Sequence, residues 1–283
     1  MGVNLKILWL INTLLVLFLI TSVLVNSIEL WRAWSFLGEE EFYMALSLVF
    51  YYLYFDPGRV LLVFLSVVFS GSLNVFFKYW LRLPRPPDPL IPVEGPGFPS
   101  GHAQVSTSFW FTLSGVIRER AVYFASSILV TGISLSRLYL RAHYLVDVIG
   151  GVVLGLLVCF VVLVLSVFFD LAGRAACVVF SLVFSLISYS ALGAPSDTAS
   201  VLVAASLAVL LFYFVFEVRG IKPGVTSTPL RVFLLVLSLV VVYAAHFATR
   251  SGFFTVRVVV LFSAIFSALC FPLVVGVLKT KVR

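Results

Sequence analysis

The sequence predicts an all-α protein, a polytopic bundle of membrane-spanning helices. Of its 283 residues, 62% are hydrophobic and 11% are charged, whereas soluble domains average about 45–50% apolar and about 25% charged residues. A single soluble core cannot bury so much apolar surface, which excludes a soluble enzyme, a disordered chain and a nucleic-acid-binding protein. The apolar residues form continuous runs rather than the alternating pattern of a membrane barrel, and continuous runs in lipid must be helical to satisfy their backbone hydrogen bonds.

Ten apolar runs approach or exceed the roughly 20 residues that a helix needs to cross a bilayer. In chain order they are residues 5–28, 41–55, 60–83, 102–117, 121–140, 145–169, 175–192, 198–216, 230–248 and 253–277. The first run is longer than the about 7–15 apolar residues of a signal peptide, so we expect a retained span. The second and fourth runs are short, and we expect them to tilt or to begin inside a polar cavity.

The connection between the third and fourth runs, residues 84–99, is rich in proline. Its prolines are Pro84, Pro86, Pro87, Pro89, Pro92, Pro96 and Pro99. Proline has no backbone N–H group and a fixed φ angle, so this density excludes a helix and predicts a stiff, extended loop.

Basic residues are distributed unevenly between the two ends of the predicted bundle. If the ten spans alternate in direction, eleven Lys and Arg residues lie at the end that holds the N-terminus and eight lie at the opposite end. The positive-inside rule places the richer end in the cytoplasm. We therefore expect both chain termini to be cytoplasmic and the opposite end of the bundle to be extracytoplasmic.

Three polar motifs from distant parts of the sequence converge at that opposite end. The first runs from Lys78 to Pro86 and ends the third span. The second is Pro99 to His102, where the fourth span begins, and the third runs from Ser136 to Asp147 between the fifth and sixth spans. Strict alternation of the spans places all three motifs at one membrane face, so we expect them to form one site.

The basic residues of these motifs suit the binding of a phosphate group. Lys78, Arg85 and Arg137 supply three positive charges, and guanidinium groups match the geometry of phosphate oxygens. Ser100 and Gly101 lie where a helix begins, and there free backbone N–H groups and the helix dipole attract an anion.

The remaining motif residues suit attack on phosphorus. His143 and Asp147 are four residues apart and would share a helix face. The carboxylate can then hold one ring N–H group while the other ring nitrogen acts as the nucleophile. His102 can donate a proton to a departing oxygen near neutral pH.

The patterns K-x6-R-P, P-S-G-H and S-R-x5-H-x3-D resemble the type 2 phosphatidic acid phosphatase (PAP2) superfamily at every specified position. This resemblance covers residues 78–147. It implies a six-helix catalytic core within residues 1–170, followed by about four additional spans of unknown role in residues 171–283. By resemblance, His143 would form a phosphohistidine intermediate, Asp147 would activate it and His102 would protonate the leaving group. The phosphate ligands implied are Lys78, Arg85, Ser100, Gly101 and Arg137.

The sequence thus predicts an integral membrane phosphatase that hydrolyses a lipid phosphate monoester or diphosphate without a metal or another cofactor. Its expected partners are a membrane lipid substrate and phosphate. One alternative is a polyprenyl diphosphate phosphatase that recycles a glycan carrier lipid. Sugar-phosphate phosphatases, lipid phosphotransferases and a non-catalytic transporter or scaffold on the same fold are the others.

Several other residues have simpler interpretations. Arg82 and Arg141 either reach the lipid headgroups or contact the substrate. We interpret His246 as a packing residue, Gly151 and Gly155 as a helix-packing step, and residues 39–41, Glu-Glu-Glu, as a solvated helix start.

Metal and disulfide chemistry have little support in the sequence. Near the motifs the carboxylates are Asp88, Glu94 and Asp147, too few to predict a metal site. The three cysteines, Cys159, Cys177 and Cys270, have no paired spacing and are interpreted as buried apolar residues.

Overall fold

A computed structural model describes residues 5–53, 57–214, 227–250 and 252–281 of the chain, and the regular elements within these ranges are all helices. The helices are α1 (Leu5–Val25), α2 (Ile28–Phe36), α3 (Glu40–Leu53), α4 (Pro57–Leu81), α5 (Gly101–Ile117), α6 (Arg120–Tyr139), α7 (Leu145–Phe168), α8 (Asp170–Ser190), α9 (Ser196–Phe212), α10 (Thr228–Ala248) and α11 (Phe254–Lys281). The predicted fold class is confirmed. The extreme ends of the chain, residues 1–4 and 282–283, lie outside the described residues.

Each of the ten predicted spans corresponds to one of these helices. Seven helices in the described ranges are long and apolar enough to cross a membrane, and the shorter ones include α3 and α9. The chain is an integral membrane protein. The sequence did not predict α2, a helix of nine residues whose N-terminus is capped where the Ser27 hydroxyl accepts a hydrogen bond from the Glu29 amide.

Helix α4 runs through the centre of the bundle and packs against α3, α5, α7, α8 and α9. Small hydroxyl residues on α4, such as Ser66, Ser70 and Ser72, are fully buried. The apolar cluster around α4 extends without a break from Tyr43 in α3 to Cys270 in α11. The predicted catalytic core and the additional spans therefore share one interior, and a domain boundary near residue 170 stays a prediction.

Helices α5 and α7 approach each other closely because two glycines line their contact. A Cβ atom on Gly151 would lie 2.6 Å from the Ser100 carbonyl oxygen, and one on Gly155 would lie 2.5 Å from the Gln104 carbonyl oxygen. Any other residue at either position would push the helices apart. This contact confirms the predicted helix-packing step and brings the beginnings of α5 and α7 together.

Candidate active site

The three polar motifs meet at one end of the bundle. Arg85 Nη1, from the proline-rich loop, lies 3.1 Å from His143 Nε2, which precedes α7. The Ser100 amide, at the start of α5, donates a hydrogen bond of 3.0 Å to the Asp147 carbonyl oxygen. The structure thus brings together side chains from the α4–α5 loop, the start of α5 and the α6–α7 connection.

His143 and Asp147 form a buried pair. His143 Nδ1 lies 3.5 Å from Asp147 Oδ2, and each side chain is 2% exposed. The same carboxylate oxygen accepts a hydrogen bond of 2.9 Å from the Tyr144 amide, which fixes its position at the first turn of α7. Because an arginine can only donate, Nε2 facing Arg85 must be the acceptor, and the ring proton lies on Nδ1, towards Asp147.

The surroundings of His143 favour its neutral form. Burial, followed by the positive charges of Arg85, Lys78 and Arg137, lowers the pKa of His143 well below its ordinary value of 6.5. At neutral pH the imidazole therefore presents an unprotonated Nε2 to the cluster of cations, which is the state required of a nucleophile.

Arg85 is held rigidly by backbone carbonyl groups. Its Nε donates to Gly95 O, its Nη2 to Glu94 O and its Nη1 to Ala142 O, each at 2.8 Å. Two of these carbonyl groups belong to the proline-rich loop, so the stiff loop predicted from the sequence acts as a support for the guanidinium group. An arginine fixed in this way loses little entropy when it binds an anion.

Gly97 allows the same loop to lie against the site. A Cβ atom there would be 2.7 Å from the Pro84 carbonyl oxygen and 3.2 Å from Asp147 Oδ2. The sequence interpretation did not single out Gly97, because a glycine between prolines is typical of any loop.

Two further cations complete the cluster. Lys78 Nζ donates to Pro96 O at 3.3 Å. Arg137 is buried and its Nη1 donates to the Ser35 hydroxyl in α2. Within the described part of the chain, Arg137 Nε is buried without a hydrogen-bond partner. A buried N–H group of this kind is a donor available to an anion.

The start of α5 is also arranged to receive an anion. Ser100 occupies the N-cap position, yet its buried hydroxyl makes no cap hydrogen bond and has no partner among the residues described. The first-turn N–H groups of a helix have no partner within the helix, so Ser100 and Gly101 present hydroxyl and amide donors side by side.

A buried amide network holds this turn. Asn74 Nδ2 donates to Pro99 O at 3.2 Å and to Gln104 Oε1 at 2.9 Å, while Gln104 Nε2 donates to Ser70 O at 3.0 Å. The network ties α4 to the beginning of α5. Sequence reasoning missed it because Asn74 and Gln104 lie inside apolar runs and belong to no motif.

His102 has a carboxylate neighbour that the sequence interpretation misjudged. His102 Nε2 lies 3.4 Å from Glu39 Oε1, and Gly38 packs against the imidazole ring. Burial alone would raise the pKa of Glu39, but its contact with His102 and the charges of His102 and Arg137 outweigh burial and lower it below 4.5. Glu39 is therefore a partner of the site, and its interpretation as part of a solvated helix start was wrong.

Arg82 lies outside the cation cluster. Its Nη2 donates to the Leu192 carbonyl oxygen at 3.0 Å and its Nε to Tyr79 O at 3.0 Å, so it links the end of α4 to the connection after α8. Arg141 is exposed beside the site, with a φ of 52°.

Potential metal ligands are scattered in the part of the chain that the structure covers, where no three His, Cys, Asp or Glu residues form a metal-binding group. The three cysteines are free thiols and buried, as predicted.

Residues 59–170 match the sequence model of the PAP2 superfamily. These residues belong to the PAP2 superfamily. The match includes all the motif residues and runs from α4 to the beginning of α8, so α1–α3 and most of α8–α11 lie outside it.

Three curated proteins are similar to the PAP2 part of the chain. Phosphatidylglycerophosphatase B of Bacillus subtilis is 29% identical over 142 residues, which are 44% of this chain and 68% of that protein. Human sphingosine-1-phosphate phosphatase 2 is 31% identical over 133 residues, 42% of this chain and 32% of that protein. The mouse protein of the same name is 31% identical over 140 residues, 44% of this chain and 38% of that protein. The chain thus spans little more than a third of the two mammalian relatives, and no solved structure matches it.

Proposed function

We propose that this PAP2 protein hydrolyses a lipid phosphate through a phosphohistidine intermediate. Its relatives are named as membrane lipid phosphatases, which supports the general activity. The observation that carries the mechanism is the position of His143, whose unprotonated Nε2 faces Arg85 at 3.1 Å while Asp147 lies behind Nδ1.

The first chemical step transfers the phosphoryl group to the protein. Lys78, Arg85 and Arg137 bind the phosphate oxygens together with the donors of Ser100 and Gly101. His143 Nε2 attacks phosphorus, and the bond between phosphorus and the lipid oxygen breaks. His102 gives a proton to that oxygen, which leaves as the lipid alcohol. The positive charge that develops on the imidazole is stabilised by Asp147 through Nδ1.

The second step releases phosphate. A water molecule attacks phosphorus while His102, now neutral, takes its proton, and the P–N bond breaks to restore the lone pair on His143 Nε2. The cations stay in place through both steps, so they stabilise each transition state without rearrangement.

Glu39 is a positioning residue for His102. A carboxylate 3.4 Å from the imidazole favours its protonated form, and this offsets the repulsion from the cations of the phosphate site. The general acid therefore keeps a proton in surroundings that are otherwise positively charged.

The relatives favour a phosphate monoester over a diphosphate. Phosphatidylglycerophosphate and sphingosine 1-phosphate, the compounds in their names, both carry a terminal monoester. We propose this class for the chain, with the site on the extracytoplasmic face and no metal in the reaction. A chelator such as EDTA is then expected to leave the rate unchanged, and loss of activity that returns with added divalent cation would contradict it.

Replacing His143 by Ala tests the covalent mechanism. The purified variant in detergent should lose turnover of phosphatidate by about 10³-fold or more. It should also lose the acid-labile, base-stable label that radioactive substrate leaves on the wild-type protein. Val146→Ala, in the first turn of the same helix but exposed to lipid, serves as the matched control and should retain both properties. Activity above about 1% of wild type in His143→Ala would overturn the covalent step.

A further inference from the structure

A cavity of about 140 Å³ lies outside the phosphate site, between α3, α4, α9, α10 and α11. We call it the C-terminal chamber, because three of the five helices that line it follow residue 190 and lie outside the PAP2 match. No step proposed above gives these helices a role.

The rim of the C-terminal chamber is polar and lies beside the phosphate site. Its charged residues are at helix ends: Glu40 begins α3, Asp197 lies in the first turn of α9, and Arg257 lies in the first turn of α11. Glu40 also approaches the phosphate site, since a Cβ atom on Gly101 would lie 3.7 Å from its Oε1. One side chain thus borders both the chamber and the anion-binding turn of α5.

The interior of the chamber is apolar. Leu48 in α3 and Ile265 in α11 are each eight residues beyond the rim residue of their helix, a distance of about 12 Å at 1.5 Å per residue. Phe64 and Leu261 line the same space. A dry cavity of about 150 Å³ lined by such side chains can bind benzene, so the chamber is large enough for a segment of hydrocarbon.

The charges of the two sites separate their ligands. The phosphate site is cationic, whereas the rim of the chamber carries two carboxylates, Glu40 and Asp197, as well as Arg250 and Arg257. Arg257 is 1% exposed and braces the rim, because its Nε donates to Ser200 Oγ at 3.0 Å and its Nη1 to Thr249 O at 2.9 Å. An anionic headgroup is favoured at the first site, and an uncharged chain fits the second.

We propose that the C-terminal chamber receives the hydrocarbon chain of the lipid whose phosphate is bound next to His143. The proposal rests on the proposed function and gives it a substrate class: a phosphate monoester on a lipid with a long chain. The helices α9–α11 then select for substrates that have such a chain.

Identical substitutions inside and outside the chamber test this proposal. Val201 lines the chamber, whereas Val259 is 62% exposed in a groove on the outer face of α9 and α11. The measured quantity is kcat/KM for dioleoyl phosphatidate divided by kcat/KM for dihexanoyl phosphatidate. Val201→Phe should lower this ratio about tenfold or more, and Val259→Phe should leave it within about twofold of wild type. Ala45→Leu, a smaller change within the chamber, should lower the ratio in the same direction if Val201→Phe does not fold.

An equal loss with both substrates in the chamber variants, or the same change of ratio in Val259→Phe, would overturn the proposal and leave the phosphatase activity established. Failure of the wild-type protein to hydrolyse either lipid would instead count against the proposed function. A second measurement needs no turnover: a phosphatidate with a diazirine in its chain is crosslinked to His143→Ala. Label on Val201 or Leu261 supports the proposal, and label confined to the outer groove, around Leu207 and Val259, overturns it.

Discussion

His143 is surrounded by cations, yet it is the group that must remain uncharged and reactive. Arg85 directs a guanidinium N–H group at Nε2, and Asp147 lies on the opposite side of the ring. This arrangement specifies one tautomer and one protonation state before substrate binds. The same arrangement makes the folded protein sensitive to acid, because a proton on His143 would be both buried and repelled.

The stability of the protein should fall as the pH decreases below about 6.5. The unfolded chain protonates this histidine below about pH 6.5, whereas the lowered pKa of His143 keeps it neutral in the folded state. The unfolded state therefore binds more protons in this range, and the free energy of unfolding decreases by up to about 1.4 kcal/mol per pH unit. Thermal unfolding in detergent, measured from about pH 7.5 to about pH 5, should show a shallower decrease for His143→Gln than for wild type. Equal slopes would show that His143 titrates alike in both states.

Glu39→Gln should shift the pH dependence of the reaction. Removing the carboxylate next to His102 makes the protonated imidazole less favourable, so the alkaline limb of the kcat profile should move to lower pH by about 0.5–1 unit. Glu29→Gln is the matched control, since Glu29 pairs with Arg32 at 3.3 Å on the exposed side of α2. A lower kcat with an unmoved alkaline limb would give Glu39 a purely structural role.

At the residue scale, the sequence predicted the groups that carry charge or chemistry, and the residues that support them could not be predicted. Arg85 and His143 belong to motifs with fixed spacing, so their meeting follows once the spans alternate. Glu39, Gly97 and Asn74 act through tertiary contacts with residues far away in the sequence. Spacing along the chain contains no information about such contacts.

At the scale of elements, hydropathy predicted the ten long helices and missed α2. That helix has nine residues with alternating polar and apolar character, too short to register as a span. It nevertheless contributes Ser35 to Arg137, and its buried Trp34 ring packs against Gly132 of α6. Short elements next to a site depend on tertiary packing, which a window of hydropathy does not measure.

The contact between α5 and α7 offers a test at this scale. Gly151→Ala would place a Cβ atom 2.6 Å from the Ser100 carbonyl oxygen, so the first turn of α5 must move. We expect a destabilisation of about 1–3 kcal/mol and a loss of kcat/KM of about tenfold or more, because the displaced turn holds the donors of Ser100 and Gly101. Val153→Leu adds one carbon on the lipid-facing side of the same helix, where Val153 is exposed, and should change neither quantity. Unaltered kcat/KM in Gly151→Ala would mean that the turn is not held by this contact.

At the scale of the whole molecule, the PAP2 part and the additional helices are joined by specific contacts. Tyr51 in α3 donates a hydrogen bond of 2.7 Å to the Leu269 carbonyl oxygen in α11, and Tyr52 lies 2.7 Å from the Ser238 hydroxyl in α10. Arg82 reaches the connection after α8. These bonds make α8–α11 a part of the same folded unit that presents the phosphate site, consistent with a role in binding the substrate chain.

The direction in which this unit crosses the membrane follows from its charge distribution and can be tested directly. The excess of Lys and Arg at the end opposite the phosphate site predicts that this end is cytoplasmic. The three native cysteines are buried, so a single cysteine introduced at the surface can be labelled with little background. Leu90→Cys, in the exposed proline-rich loop, should react with a membrane-impermeant maleimide added to intact cells. Arg120→Cys, at the exposed start of α6, should react only after the membrane is permeabilised. The reverse pattern would place the phosphate site in the cytoplasm and leave its chemistry unchanged, because orientation depends on charges that take no part in the reaction.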